Sequence, residues 1–231
     1  MSDPAQDNGS PLVSAPSSAP TTGEQLTALL ERISGEYVEG DAARHAAGAR
    51  EDFLAATGRV HEGDRAFDER MAQFMEWFLL DRPLVHGGGT PCERFVERGS
   101  LSADDRRLLR GLCASHRSLF SFVARDRLGR MVVDDLLYGM RWTVTAPEGL
   151  PGTEPGDVFE GRVVGIGGEV HFTTAFCYHP REAAPRIARY AARRQERGPL
   201  DSALLDELMA MRLAYDRAEG APVDSVYRFG A

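Results

Sequence analysis

From Thr22 onward, apolar side chains recur three and four residues apart. Leu26, Leu29, Leu30, Ile33 and Tyr37 form one stripe and predict a helix over 22–38. Thr21 and Glu24 before it have capping-box spacing. An Ala-rich helix over 41–56 carries Phe53 and Leu54 and ends at Gly58. The strongest apolar pattern follows over 63–80, where Phe67, Met71, Phe74, Met75, Phe78 and Leu79 keep the 3, 4, 7, 8 rhythm. Thr90-Pro91-Cys92-Glu93 combines an N-cap, a first-position proline and an acid at the third position, and so starts another helix. Ser102 starts the next, which buries Leu108, Leu109, Leu112 and Cys113.

At Ser118 the period shortens to two. The stretches 119–123, 131–137, 141–145, 158–166 and 170–178 alternate as strands do, with Gly167-Gly168 a hairpin turn between the last two. Helical spacing returns over 181–197 and 200–218, and the Gly198-Pro199 link predicts an antiparallel helical hairpin. The fold class expected is therefore α+β. Residues 1–21 read as a disordered tail, 22–116 as a helical region and 117–180 as a small five-stranded antiparallel β-barrel-like module of OB or SH3-like type. Residues 181–219 form the C-terminal helical hairpin, and 220–231 a tail whose Val226, Tyr227 and Phe229 dock on the body.

Four segments carry a resemblance. They are Glu76-Trp77-Phe78-Leu79-Leu80-Asp81-Arg82-Pro83-Leu84, Thr90-Pro91-Cys92-Glu93-Arg94-Phe95, Gly156-Asp157-Val158-Phe159-Glu160-Gly161-Arg162 and Phe176-Cys177-Tyr178-His179-Pro180-Arg181-Glu182-Ala183. Over about 65–185 the chain resembles uncharacterised bacterial proteins in which a helical half precedes a small β-module. The resemblance implies that order of parts and no activity.

Composition narrows the function classes. The 231 residues carry a net charge of −8, and all 27 basic residues are arginine, so lysine Schiff-base and P-loop chemistry are excluded. This arginine-for-lysine bias fits a GC-rich bacterial genome. No apolar run approaches a membrane span, the N-terminus lacks signal-peptide character, and Cys92, Cys113 and Cys177 form no C-x-x-C pair. Free buried thiols, a cytoplasmic location and no membrane partner are the expectation.

Candidate chemistry is sparse. His86-Gly87-Gly88-Gly89 is similar to the oxyanion-hole loop of esterases, but the chain has no G-x-S-x-G nucleophile elbow, and a glycine hinge fits better. His171, Cys177 and His179 are zinc-competent. On one continuous strand, however, His171 and His179 stand about 26 Å apart at ~3.3 Å per residue. Cys177 and His179 would then need His86, Cys92 or His116 to complete a site. Among the acids, Asp134 and Asp135 point to opposite faces of a strand, Asp157 suits a turn and Asp81 a helix-end pair with Arg82, while Glu160 finds no partner for acid–base work. The expectation is no catalytic constellation, no cofactor and no metal.

One pattern is sharper. Arg186, Arg189, Arg193 and Arg197 step by three and four and share a helix face, and six of the residues 181–197 are arginine. Such a stripe either pairs with Asp201, Asp206, Glu207, Asp216 and Glu219 of the following helix or grips an anionic surface. The functional expectation is a non-catalytic, adaptor-type binding protein that engages a protein partner. The alternative is a nucleic-acid-binding module that uses the β-barrel face, with Trp142, Phe159, Phe172 and Phe176 as stacking surfaces, and the Arg-rich helix.

Overall fold

The structure, a computed structural model, describes residues 19–37, 39–84, 88–98, 100–147, 150, 153–197 and 202–229. The tail expected over 1–21 lies almost wholly outside the described residues. Five helices come first: α1 (Thr22–Gly35), α2 (Gly40–Thr57), α3 (Phe67–Leu80), α4 (Pro91–Glu97) and α5 (Ala103–Cys113). The starts follow from local chemistry. Both capping boxes close, Thr21 with Glu24 and Thr90 with Glu93, and the Ser102 hydroxyl accepts from the Asp105 N–H. Leu26, Leu29 and Ile33 of α1 join Phe53, Phe74, Phe78, Leu109 and Leu112 in one core cluster.

The strands are β1 (His116–Arg125), β2 (Met131–Asp135), β3 (Arg141–Val144), β4 (Val158–Ile166), β5 (Glu169–Phe172) and β6 (Cys177–Tyr178). Their order is β3-β2-β1-β4-β5, antiparallel throughout, with β6 also on β4. A parallel bridge from Thr145 to His171 joins the ends of the path, so the sheet curls into a half-barrel. Its inner face packs on itself: Phe120, Phe122, Val133, Phe159, Phe172 and Phe176 form a core of their own. The outer face meets the helices, through Val164 and Ile166 on one side and Leu119 and Val158 on the other.

The strand expected over 170–178 is broken. β5 stops at Phe172, and residues 173–176 turn before β6. Helix α3 makes the break, because its second buried face is polar. The Glu76 carboxylate accepts from the Thr173 hydroxyl (2.8 Å) and the Ala175 N–H (3.2 Å), and the Gln73 amide donates to the Phe176 carbonyl (2.7 Å). Backbone groups that a continuous ladder would have used are bonded to a helix instead.

Three helices follow: α6 (Ala184–Arg197), α7 (Ala203–Arg217) and the short α8 (Val223–Val226). Residues 181–183 form a turn, so α6 starts later than Pro180 implies. Helix α7 lies along α2, and it shares a buried cluster with α6 through Ala184, Ile187, Leu204 and Leu208. Tyr227, fully buried, docks the C-terminal segment as expected. No helix among the described residues is long and apolar enough to cross a membrane.

Candidate functional site

Two places gather chemistry. The first is the arginine stripe. Arg186, Arg189 and Arg193 line an open groove of about 500 Å³ together with Ala192 and Phe229. The Phe229 ring stacks on Tyr190 of α6, with centroids 4.3 Å apart, and walls the groove on its apolar side. Among the described residues, Arg186, Arg189 and Arg193 make no ion pair with an acid of α7. Asp206 binds Arg117 (3.3 Å), Asp216 binds Arg212 (2.9 Å) and Arg186 finds Asp224 (2.5 Å). Arg189 and Arg193 are exposed and have no ion-pair partner among the described residues. Arg197 belongs to the same helix, but its side chain lies outside the described residues, as do His86 and Asp201.

The second place is inside. β4 is buried on both faces, yet it carries Glu160 and Arg162. Arg162 pairs with Asp81 and Glu76 of the α3 end and donates to the Ser115 hydroxyl. Asp81 is thereby taken from Arg82, which pairs with Asp52 instead. Glu160 accepts from Arg117 of β1 at 2.8 Å. Burial opposes the Arg117 charge, and Glu160 and Asp206 beside it more than restore it.

On its other side Glu160 faces Cys177, its direct partner across the β4–β6 pair. His179 continues that pairing through its N–H to the Val158 carbonyl (3.0 Å), so Cys177 and His179 share one face. The Glu160, Cys177 and His179 ligand atoms all lie within 4.8 Å of one another. The Tyr227 hydroxyl sits 3.1 Å from Nδ1 of His179, while Nε2 lies 3.7 Å from the Glu160 carboxylate. Burial pushes the Cys177 thiol well above its ordinary range, and the negative charges of Glu160 and Glu69 push the same way.

The zinc-competent residues named from sequence are thus sorted. Cys177 and His179 come together. His116 turns instead to Asp135, Cys92 lies 3.1 Å from Cys113 between α4 and α5, and Nε2 of His171 lies 3.6 Å from the Glu169 carboxylate. Their companion is Glu160, an acid for which sequence reasoning found no partner. The signal was present: in Val158-Phe159-Glu160-Gly161-Arg162-Val163-Val164 both faces are apolar, so the charges two apart must be buried and need partners.

The model of the Family of unknown function (DUF7986) matches residues 24–210. The chain belongs to that family. No curated protein and no solved structure matches it. The DUF7986 match spans Glu160, Cys177, His179 and the three groove arginines, whereas Tyr227 and Phe229, which complete the two places, come from the segment after it.

Proposed function

We propose that the protein is a non-catalytic, adaptor-type binding protein whose α6 groove engages an acidic segment of a protein partner. One observation carries this reading: Arg189 and Arg193 are exposed, without ion-pair partners among the described residues, beside an aromatic wall formed by Phe229. Planar guanidinium groups flanking an apolar surface suit carboxylate-bearing side chains with some apolar content. The barrel face offers less to nucleic acid. Phe159, Phe172 and Phe176 are spent in the inner core, and the exposed large hydrophobic residues among those described, Leu128, Tyr138 and Met140, include one aromatic. The finer architecture of this reading is an OB- or SH3-like barrel, which the Thr145–His171 bridge supports, and an α6–α7 hairpin, which their shared cluster supports.

The test compares the wild-type chain with Arg189→Glu/Arg193→Glu by affinity capture from the native cell, with labelled single-stranded DNA and RNA titrated in parallel. The expected result is a protein partner retained by the wild type and lost by the folded double variant. Salt-sensitive nucleic-acid binding that the same variant abolishes would replace this reading with the alternative. An unchanged partner list would end both.

A further inference from the structure

We infer that Glu160, Cys177 and His179 hold one divalent transition-metal ion of the zinc class, through Oε1, Sγ and Nε2. Three observations lead there. The first is the donor set. A thiolate, an imidazole and a carboxylate are the ligands zinc takes, whereas calcium and magnesium require oxygen alone. The second is that two of these atoms lack partners. Glu160 Oε1 and His179 Nε2 are buried with no hydrogen-bond partner among the described residues, although burying such atoms unpaired is costly. They point at each other across 3.7 Å. Two ligands about 2.0–2.1 Å from a tetrahedral ion stand roughly 3.4 Å apart, so the gap is close to that which one ion spans.

The third observation is the support around the donors. The residues are 3% (Glu160), 1% (Cys177) and 6% (His179) exposed, and all three sit on paired backbone rather than on a free loop. Nδ1 of His179 lies 3.1 Å from the Tyr227 hydroxyl; in the tautomer that donates from Nδ1 to this oxygen, Nε2 presents its lone pair to the ion. Arg117 occupies Oε2 of Glu160 and leaves Oε1 free. The charges also agree. Glu160 and Asp206 exceed Arg117 by one negative charge, and a divalent ion together with the Cys177 thiolate brings that group to neutrality. Glu69, whose carboxylate is hydrogen-bonded to the Cys177 thiol, is offset together with Asp216 by Arg70 and Arg212, so these four add no net charge. Three protein ligands leave the fourth tetrahedral position open. The centre is separate from the α6 groove, and either stands without the other.

Metal analysis of the tag-free, full-length chain purified from zinc-supplemented medium tests this directly. One zinc per chain is expected, lost in Cys177→Ser and in His179→Gln. Cobalt replacing zinc gives a thiolate-to-metal charge-transfer band in the near ultraviolet that Cys177→Ser removes. Should a variant fail to fold, the wild type decides: zinc protects Cys177 from alkylation but not Cys113, and chelation lowers the melting temperature. A folded wild-type chain that takes up neither zinc nor cobalt, or a folded variant with undiminished metal content, overturns the assignment. Glu160 and His179 would then be a bare buried pair.

Discussion

Asp135 ends β2 with a fully buried carboxylate. It accepts from the Ser118 hydroxyl (2.6 Å), from the Leu137 and Tyr138 N–H groups (3.0 and 3.1 Å) and faces His116 (3.4 Å). Burial pushes this acid up, and the hydrogen bonds from His116, Ser118 and the backbone together outweigh it, so the group titrates below its ordinary range. An acid held down on folding contributes stability above its unfolded value of about 3.9, and that contribution disappears as pH falls through the lower folded value. Asp135→Asn should therefore cost about 1–3 kcal/mol at neutral pH, because an amide hydrogen must face donors. Urea unfolding at a series of pH values checks this: between pH 5 and 2 the variant should lose less stability than the wild type. Parallel curves would mean that Asp135 is not the titrating group.

At the scale of elements, one substitution has opposite signs at two helical glycines. A Cβ on Gly48, exposed within α2, meets nothing within 4 Å. Gly48→Ala should stabilise by about 0.5–1 kcal/mol through helix propensity. Gly111 is where α5 lies on β4. A Cβ there falls 2.2 Å from the Ile166 side chain and 2.9 Å from the Gly165 carbonyl, which belongs to the strand backbone and cannot rotate aside. The same propensity gain is then opposed by overpacking of about 1–3 kcal/mol or more, and Gly111→Ala should be net destabilising. Denaturation midpoints that move in the same direction for both variants would refute this close approach. Helix α3 shows the limit of pattern reading. Its apolar face over Phe74, Phe78 and Leu79 was plain, but Arg70, Gln73 and Glu76 are equally buried. Arg70 donates to the carbonyls of Thr57 and Met209, and so joins α2 and α7. Charged residues opposite an apolar stripe ordinarily face water, and nothing local distinguishes these.

For the whole molecule, helices and half-barrel are fastened by ion pairs that cross between them. Arg162 on β4 reaches Glu76 and Asp81, and Arg117 on β1 reaches Glu160 and Asp206. Arg162→Ala should cost about 3–5 kcal/mol, since it strands a buried carboxylate. Adding Asp81→Asn should recover part of that loss. Full additivity in a double-mutant cycle would show that the two do not act as a unit.

The helix starts at Thr21, Thr90 and Ser102, the period change at the first strand and the turn at Gly167-Gly168 were legible in the sequence. Each is set within a few residues, by a capping side chain, an alternation or a backbone at positive φ. The spacing of the arginines placed them on one helix face for the same reason. Tertiary structure decided the rest. The break at 173–176 depends on Gln73 and Glu76, about a hundred positions away, and that break sets Cys177 and His179 against Glu160. Packing across the molecule likewise pairs Asp206 with Arg117 and Asp216 with Arg212, and Arg189 and Arg193 have no ion-pair partner among the described residues. Contacts between distant segments are chosen by shape and charge balance across the assembled core, which no local spacing records.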